Sequence, residues 1–134
     1  METKSIKQKV IIEASPKRTY EAILDPKIHS EFTQAEAEND MAVGAKFSAY
    51  DGYISGVNLE LKKDKKIVQK WTSNDLPEGR YTTVAFEFKK HKKGTELIFT
   101  QTDIPEKSCK EIAQGWKNFY WKPLKAFFKM TAGG

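Results

Sequence analysis

The sequence predicts an α+β domain in which a six-stranded antiparallel sheet packs against a long C-terminal helix, with two short helices after the first strand. Apolar residues near the C-terminus recur at helical spacing, whereas much of the chain before them alternates between apolar and polar residues, as half-buried strands do. The alternating segments are joined by short connections, which favour antiparallel neighbours. A chain of 134 residues can bury a core, and we expect residues 1–134 to form one domain.

The N-terminal third is predicted to form a strand and two short helices. Segment Ser5–Glu13 alternates, and its apolar side carries Ile6, Gln8, Val10 and Ile12. Ser15-Pro16 combines an N-cap residue with a favoured first helical residue, and Asp25-Pro26 repeats the pattern. We therefore expect two helices that meet at an angle, the second ending near Phe32, followed by a loop over Thr33–Val43.

Five further strands are predicted after this loop. Asp51-Gly52 is a strong hairpin signal, because glycine tolerates positive φ, and Lys93-Gly94 is a second. The predicted strands are Ala45–Tyr50, Tyr53–Lys62, Lys66–Ser73, Arg80–Lys90 and Thr95–Thr102. Alternation assigns seven apolar residues to the face that receives the terminal helix, namely Ile67, Trp71, Val84, Phe86, Phe88, Leu97 and Phe99.

The terminal helix is predicted over Ser108–Lys129, where Ser108 and Glu111 fit a capping box. Its apolar stripe consists of Ile112, Trp116, Phe119, Tyr120, Leu124, Phe127 and Phe128. Pro123 removes the backbone donor that would bond the carbonyl of Phe119, so we expect a kink or break between these two residues. Trp121 falls outside the stripe, on the side of the lysines, where it either packs at the rim or meets a partner.

Three amides fall on the otherwise apolar inner face of the sheet, namely Gln8, Gln69 and Gln101. A buried amide without hydrogen-bond partners is costly. These side chains therefore either lie at hydrated strand ends or line a cavity that holds water or a ligand. An apolar cavity with a few polar groups is typical of a small-molecule site.

The chain carries a net charge of +5 with a pI near 9.2. Many basic residues fall at two predicted hairpin tips, namely Lys62, Lys63, Lys65, Lys66, Lys89, Lys90, His91, Lys92 and Lys93. Charged tips usually serve solubility, so we expect at most a general attraction to acidic partners and no specific nucleic-acid binding. The sequence has neither an apolar run of about 20 residues that could span a bilayer nor a signal-peptide pattern, and we expect a cytoplasmic protein without a membrane partner.

No catalytic or metal-binding pattern emerges, so we expect no enzymatic activity, no metal and no cofactor. His29 and His91 have no partner at ligand spacing, and we expect both on the surface. Cys109 is the only cysteine, which excludes an internal disulfide, and we expect it to be inert.

The order of elements and several segments resemble the START-like (SRPBCC) superfamily, and within it the C-terminal domain of the activators of heat-shock protein 90 ATPase. The segments are Ser15-Pro16 with the following TYEAILDP, DGYISG at Asp51–Gly56, IVQKW at Ile67–Trp71, LPEGRYTTVAFEF at Leu76–Phe88, GTEL at Gly94–Leu97 and QGWKNFYW at Gln114–Trp121. The resemblance implies a helix-grip fold, in which the sheet curves around the C-terminal helix. It covers nearly the whole chain.

Two functions follow from the resemblance. The first is a stress-related co-chaperone module that binds heat-shock protein 90, with a candidate partner surface at Lys117, Trp121, Lys122 and Lys125. The second is a carrier that holds an apolar small molecule between sheet and helix, in a candidate cavity lined by Gln69, Trp71, Phe86, Phe99, Gln101, Trp116, Phe119 and Tyr120. Alternatively, the aromatic side chains fill this space, because protein interiors pack densely.

Overall fold

The computed structural model describes residues 2–131, which form a seven-stranded antiparallel sheet and a long C-terminal helix. The strands are β1 (Thr3–Ile12), β2 (Glu38–Asn39), β3 (Lys46–Ala49), β4 (Ile54–Lys62), β5 (Lys66–Ser73), β6 (Thr82–His91) and β7 (Gly94–Pro105). The helices are α1 (Pro16–Leu24), α2 (Pro26–Thr33), α3 (Glu106–Trp116) and α4 (Lys122–Thr131), and a π-helical segment, Lys117–Trp121, joins α3 to α4. The predicted α+β helix-grip class is confirmed.

The sheet has the order β1-β7-β6-β5-β4-β3-β2, with every neighbouring pair antiparallel. It contains one strand more than the six predicted. The additional strand is β2, which lies within the predicted loop and pairs Glu38 with Ser48 and Asn39 with Phe47. A strand of two residues is too short to show an alternating pattern, so its sequence gives no signal. The seven residues assigned to the inner face are all buried, as predicted.

The two short helices begin as predicted. The Ser15 side chain accepts a hydrogen bond from the backbone N–H of Arg18 at 3.2 Å, and the Asp25 carboxylate accepts one from Lys27 at 2.9 Å. A proline follows each cap and starts the helix with a favourable φ. Helix α2 ends at Thr33, and its C-cap residue, Gln34, adopts a left-handed conformation with φ 60°.

Helix α3 begins earlier than predicted, at Glu106, and the predicted capping box at Ser108 and Glu111 is wrong. Strand β7 runs directly into the helix through Pro105, which occupies the N-cap position and makes no side-chain capping bond. The Glu106 N–H donates instead to the carbonyl of Glu2 at 3.2 Å. This helix start is therefore satisfied by the chain N-terminal to β1, which local sequence spacing cannot show.

The predicted irregularity near Pro123 is confirmed in the form of the π-helical segment rather than a break. The Lys122 N–H donates to the carbonyl of Lys117, five residues earlier. Because Pro123 has no N–H, the Phe119 carbonyl lacks its usual helical donor, and the Tyr50 hydroxyl donates to it instead. The helix thus continues past proline with one wide turn.

The wide turn exchanges the predicted positions of two aromatic residues. In a regular α-helix, Trp116 and Trp121 would lie about 1.4 turns apart, on different faces. The π-helical segment brings them to one face, where their rings stack at 5.6 Å, and Trp121 is 4% exposed. Phe119, predicted within the apolar stripe, is 60% exposed. The prediction that Trp121 lies on the lysine side of the helix is wrong for this reason.

Candidate functional site

Two of the predicted inner amides bind the tryptophans of the helix. The Trp116 indole N–H donates to Gln101 Oε1 at 2.8 Å, and Gln101 Nε2 donates to the Thr82 hydroxyl at 3.0 Å. The Trp121 indole N–H donates to Gln8 Oε1 at 2.7 Å, and Gln8 Nε2 donates to the Ala113 carbonyl at 3.1 Å. These amides serve as hydrogen-bond partners of the helix, a role that the sequence alternatives did not include.

The third amide, Gln69, belongs to a chain of hydrogen-bonded amide side chains that reaches the edge strand β2. Its Nε2 donates to Asn58 Oδ1 at 3.0 Å, and Asn58 Nδ2 donates to Asn39 Oδ1 at 2.8 Å and to the Ala42 carbonyl at 3.1 Å. Asn58 is fully buried. The chain of amides therefore attaches β2 and its neighbouring turn to the middle of the sheet.

A pocket of about 440 Å³ lies between the sheet and α3, at the end of the sheet where β4 begins and β5 ends. Its lining residues are Tyr50, Tyr53, Ile54, Trp71, Ser73, Asp75, Ser108, Glu111, Ile112, Gly115, Trp116, Phe119 and Tyr120. Tyr53, Asp75, Glu111 and Phe119 are exposed, so the pocket opens to solvent on their side. Its volume lies within the range of small-molecule sites, about 300–1,000 Å³.

The eight residues of the predicted cavity divide between three places. Trp71, Trp116, Phe119 and Tyr120 line the pocket. Gln69 and Phe86 instead border a small void of about 20 Å³, together with Trp71, Trp116 and Tyr120. Phe99 and Gln101 are fully buried and line neither space. The aromatic side chains thus fill the middle of the predicted cavity and leave one end open.

Three of the pocket residues that were not predicted from the sequence lie on turns. Tyr50 and Tyr53 flank the Asp51-Gly52 turn, and Asp75 lies in the loop after β5. The Tyr53 hydroxyl donates to the Asp75 carboxylate, which joins the two turns at the mouth of the pocket. The hairpin signal at Asp51-Gly52 located the turn, but only the sheet order places it beside the loop after β5.

The hydroxyls of Tyr50 and Tyr120 stay protonated at neutral pH. Burial raises the pKa of Tyr50 to about 12. Burial, with a smaller contribution from Tyr50, also raises the pKa of Tyr120 well above its usual value of 10. Both hydroxyls already donate hydrogen bonds, Tyr50 to the Phe119 carbonyl and Tyr120 to His29. They therefore supply neither charge nor a free donor to the pocket.

His29 is buried, contrary to its predicted surface position, because α2 turns this residue toward the core. Its Nδ1 lies 3.0 Å from the Ile23 carbonyl and its Nε2 lies 3.1 Å from the Tyr120 hydroxyl. A carbonyl can only accept, so Nδ1 carries the proton and Nε2 accepts from Tyr120. Burial lowers the pKa of His29 to about 4, although hydrogen bonds to backbone carbonyls oppose the shift. The imidazole is neutral at pH 7.

The predicted partner surface is only partly present at the surface. Lys117, Lys122 and Lys125 are exposed, but Trp121 is buried against Phe99 and Trp116. The membership of Trp121 in a docking surface is therefore wrong, and the exposed aromatic residue of this part of the helix is Phe119. The wide turn explains both placements.

The two basic hairpin tips lie side by side. Strand β5 begins at Lys66, which pairs with Glu87 of β6. The Phe88 N–H donates to the Lys65 carbonyl at 2.9 Å. The β4–β5 and β6–β7 turns therefore share one end of the sheet. Seven of the basic residues there are exposed, namely Lys62, Lys63, Lys65, Lys89, Lys90, Lys92 and Lys93. His91 lies at the second tip, as predicted.

Within residues 2–131, no group of three or more His, Cys, Asp or Glu side chains is arranged to hold a metal ion. In the same part of the chain, no helix combines the length and the apolar character needed to cross a membrane.

An antiparallel sheet that holds a long C-terminal helix, with a pocket left between them, defines a START-like helix-grip domain. Residues 13–129 match the family described as "Activator of Hsp90 ATPase homolog 1-like protein". The chain belongs to this family, which confirms the resemblance seen in its sequence.

Several relatives carry the same domain. The human activator of 90 kDa heat shock protein ATPase homolog 1 is 32% identical over 114 residues, which cover 85% of this chain and 34% of that protein. A homologous activator from Dictyostelium discoideum is 30% identical over 131 residues, covering 97% of this chain and 34% of that protein. The chain thus spans about a third of the length of these curated relatives.

Solved structures share the fold over nearly the whole chain. The crystal structure of an HSP90 activator from Plasmodium falciparum is 26% identical, with a TM-score of 0.81, and covers 95% of this chain and 96% of that chain. Protein MLL2253 from Mesorhizobium loti has a TM-score of 0.82 at 17% identity, covering 96% of this chain and 98% of that chain. At that identity the second likeness concerns the fold alone.

Proposed function

We propose that the domain is a non-enzymatic, cytoplasmic co-chaperone-like module that binds a heat-shock protein 90. The observation that carries this proposal is the match to the Plasmodium falciparum HSP90 activator, which aligns along almost the full length of both chains. A single domain of this size therefore accounts for nearly all of the chain in that crystal structure. The longer human and Dictyostelium activators contain the same domain within about a third of their length, so binding is the part of their activity proposed here.

The lysines of the terminal helix are the proposed contact. A segment of nine residues contains three exposed lysines, Lys117, Lys122 and Lys125. The exposed ring of Phe119 lies between them in the sequence. An aromatic anchor with nearby cations suits an acidic partner surface that carries an apolar recess. The basic hairpin tips provide positive charge without an exposed aromatic side chain at the turns, and we assign them a general electrostatic role.

Two charge-reversal variants with the same net charge distinguish these surfaces. One replaces Lys117, Lys122 and Lys125 by glutamate, and the matched control replaces Lys63, Lys92 and Lys93. Binding to heat-shock protein 90 from the same organism is measured by calorimetry at low and high salt. We expect the helix variant to bind at least tenfold more weakly, whereas the control loses less than threefold and only at low salt. ATP turnover by the chaperone is recorded in parallel.

Equal losses in both variants would show that the lysines of the terminal helix contribute only a general charge effect. An absence of binding by the parent protein at both salt concentrations would overturn the co-chaperone proposal itself.

The non-enzymatic part of the proposal is supported by the state of the buried histidine. Both ring nitrogens of His29 are engaged, one by Ile23 and the other by Tyr120, and the side chain does not line the 440 Å³ pocket. A general base needs a free nitrogen within hydrogen-bond reach of its substrate. Among residues 2–131, those that line the pocket include no histidine, lysine or cysteine.

A second candidate function, the binding of an apolar small molecule, is favoured by the pocket itself. Its buried lining consists of Ile54, Trp71, Ser73, Trp116 and Tyr120, which are mostly apolar. A well-formed apolar space of this size with a few polar groups is a typical ligand site. This candidate is compatible with the first, because the pocket and the exposed lysines involve different side chains.

Gly115 provides a matched pair of variants for this second function. Gly115 lines the pocket, and an added Cβ would contact only the ring of Phe119, at 3.9 Å. Gly115→Ala is expected to bind ligands like the parent and to gain up to about 1 kcal/mol of stability through helix propensity. Gly115→Leu is expected to fold as well and to lose at least tenfold in affinity, because its side chain occupies the pocket.

The test is a thermal-shift screen of neutral apolar compounds, in which a ligand at 100 times its Kd stabilises the protein by about 2.7 kcal/mol. Compounds that raise the melting temperature of the parent and of Gly115→Ala but not of Gly115→Leu support the pocket. Equal shifts in all three proteins would place the binding elsewhere.

A further inference from the structure

We propose that the pocket selects organic cations, namely ligands with an aromatic or other apolar body that carry a quaternary or protonated amine. The inference rests on the second candidate function and names the ligand class of that same pocket. It is carried by the charge and the ring composition of the lining, which differ from those of the rest of the chain.

The charge of the pocket is opposite to that of the protein. The chain has 23 lysines and arginines against 18 acidic residues, for a net charge of +5. Among the pocket residues in the described part of the chain, however, the charged side chains are Asp75 and Glu111, and none is basic. They come from two different walls, since Asp75 follows β5 and Glu111 lies on α3. A cation at the pocket mouth therefore meets two carboxylates, whereas an anion meets them without compensation.

Aromatic rings line much of the same space. Tyr50, Tyr53, Trp71, Trp116, Phe119 and Tyr120 all contribute to the pocket wall. Their rings are close neighbours, with centroids 5.7 Å apart for Trp71 and Trp116 and 6.2 Å apart for Tyr50 and Phe119. A cation within about 6 Å of a ring face is attracted by the ring quadrupole, and clusters of rings bind quaternary ammonium groups in this way.

The exposures of the lining residues suggest how such a ligand is oriented. The buried lining residues are Ile54, Trp71, Ser73, Trp116 and Tyr120, whose surfaces are mostly apolar. The two acids lie with the exposed rings of Tyr53 and Phe119 at the solvent side. The hydrogen bond from Tyr53 fixes the position of the Asp75 carboxylate. The apolar body accordingly inserts between sheet and helix, and the cationic head remains at the mouth between carboxylates and ring faces.

Three probes with one naphthalene body test the charge preference. The probes carry a trimethylammonium group, its neutral tert-butyl isostere or a sulfonate, each attached through one methylene. Affinities are measured by calorimetry at 20 mM and 500 mM salt. We expect the ammonium probe to bind at least tenfold more tightly than the neutral probe at low salt, with a smaller advantage at high salt. The sulfonate is expected to bind most weakly of the three.

Neutral isosteres of the two acids identify the source of the preference. Asp75→Asn and Glu111→Gln are each expected to weaken the ammonium probe about threefold to tenfold and to leave the neutral probe unchanged. Glu78→Gln is the matched control, because Glu78 is an exposed acid in the same loop as Asp75 that does not line the pocket. It removes one negative charge and is expected to change neither affinity.

The outcomes distinguish ligand binding by the pocket from its preference for cations. If none of the three probes binds, both the pocket function and its charge preference are wrong. If the neutral probe or the sulfonate binds as tightly as the ammonium probe, the pocket function stands and the preference for cations is overturned. If Glu78→Gln weakens the ammonium probe as much as Asp75→Asn does, the preference reflects the overall field of the protein, and the assignment to the pocket acids is overturned.

Discussion

Replacing Trp116 by alanine is expected to lower the free energy of unfolding by about 3–5 kcal/mol, the usual range for deleting a large buried aromatic side chain. Trp116 is 3% exposed and lies at the centre of the ring cluster between sheet and helix. Its ring neighbours are Trp71, Phe86, Phe99, Tyr120 and Trp121, with centroids 4.2–5.9 Å away. Urea denaturation followed by far-ultraviolet circular dichroism measures the change without relying on tryptophan emission.

A milder series separates packing from hydrogen bonding at the same position. Trp116→Phe keeps a ring but leaves the buried carbonyl oxygen of Gln101 without its donor, and Gln101→Leu leaves the indole N–H without its acceptor. Each unpaired buried group costs about 1–3 kcal/mol. The double variant is expected to lose less stability than the two single variants added together. Strictly additive losses would show that the 2.8 Å bond between Trp116 and Gln101 contributes nothing to stability.

Acidification from pH 7 to pH 4.5 is expected to remove about 2 kcal/mol of stability through His29 alone. The folded protein holds the pKa of His29 at about 4, below the ordinary value of 6.5 that applies after unfolding. Between these two pH values the unfolded chain binds one proton more than the folded protein, so stability falls as pH falls. The contribution of His29 to stability is fully present only above about pH 6.5. Protonation would also place a second donor against the Tyr120 hydroxyl.

The measurement is urea denaturation at several pH values between 7 and 4.5. His29→Gln retains an acceptor for Tyr120 but cannot titrate, so its stability should fall by about 2 kcal/mol less than that of the parent over this range. His91→Gln, at a hairpin tip outside the core, is the matched control for replacing an imidazole by an amide. A parent-like slope in His29→Gln would show that other groups cause the acid sensitivity.

The sheet and the short helices could be predicted because their signals are local. Alternation marked each strand of four residues or more, and the Ser15-Pro16 and Asp25-Pro26 pairs marked both helix starts. Strand β2 gave no such signal, since Glu38 and Asn39 are strand residues only by pairing with β3. The start of α3 was misplaced because its first N–H is bonded by Glu2, which is distant in sequence.

The candidate site was predicted less well, because it depends on the geometry of the terminal helix and on the sheet order. A constant helical period placed Phe119 inside and Trp121 outside, and the π-helical segment reverses both. Proline at position 123 signalled an irregularity but not its form. His29 was predicted at the surface, because local sequence does not show that α2 packs this residue against Tyr120. Asp75 was not predicted as a pocket residue, because only the fold places its loop beside Tyr53.

The two tryptophan–glutamine bonds determine how the pocket can change its size. Gln8 and Gln101 lie on the neighbouring strands β1 and β7, and they bind indoles five residues apart on the helix. A shift of the helix by one turn, about 5.4 Å, would break both bonds together. The helix therefore cannot slide gradually along the sheet. Any change in the size of the pocket therefore falls to its mouth, where the exposed ring of Phe119 lies outside both indole bonds.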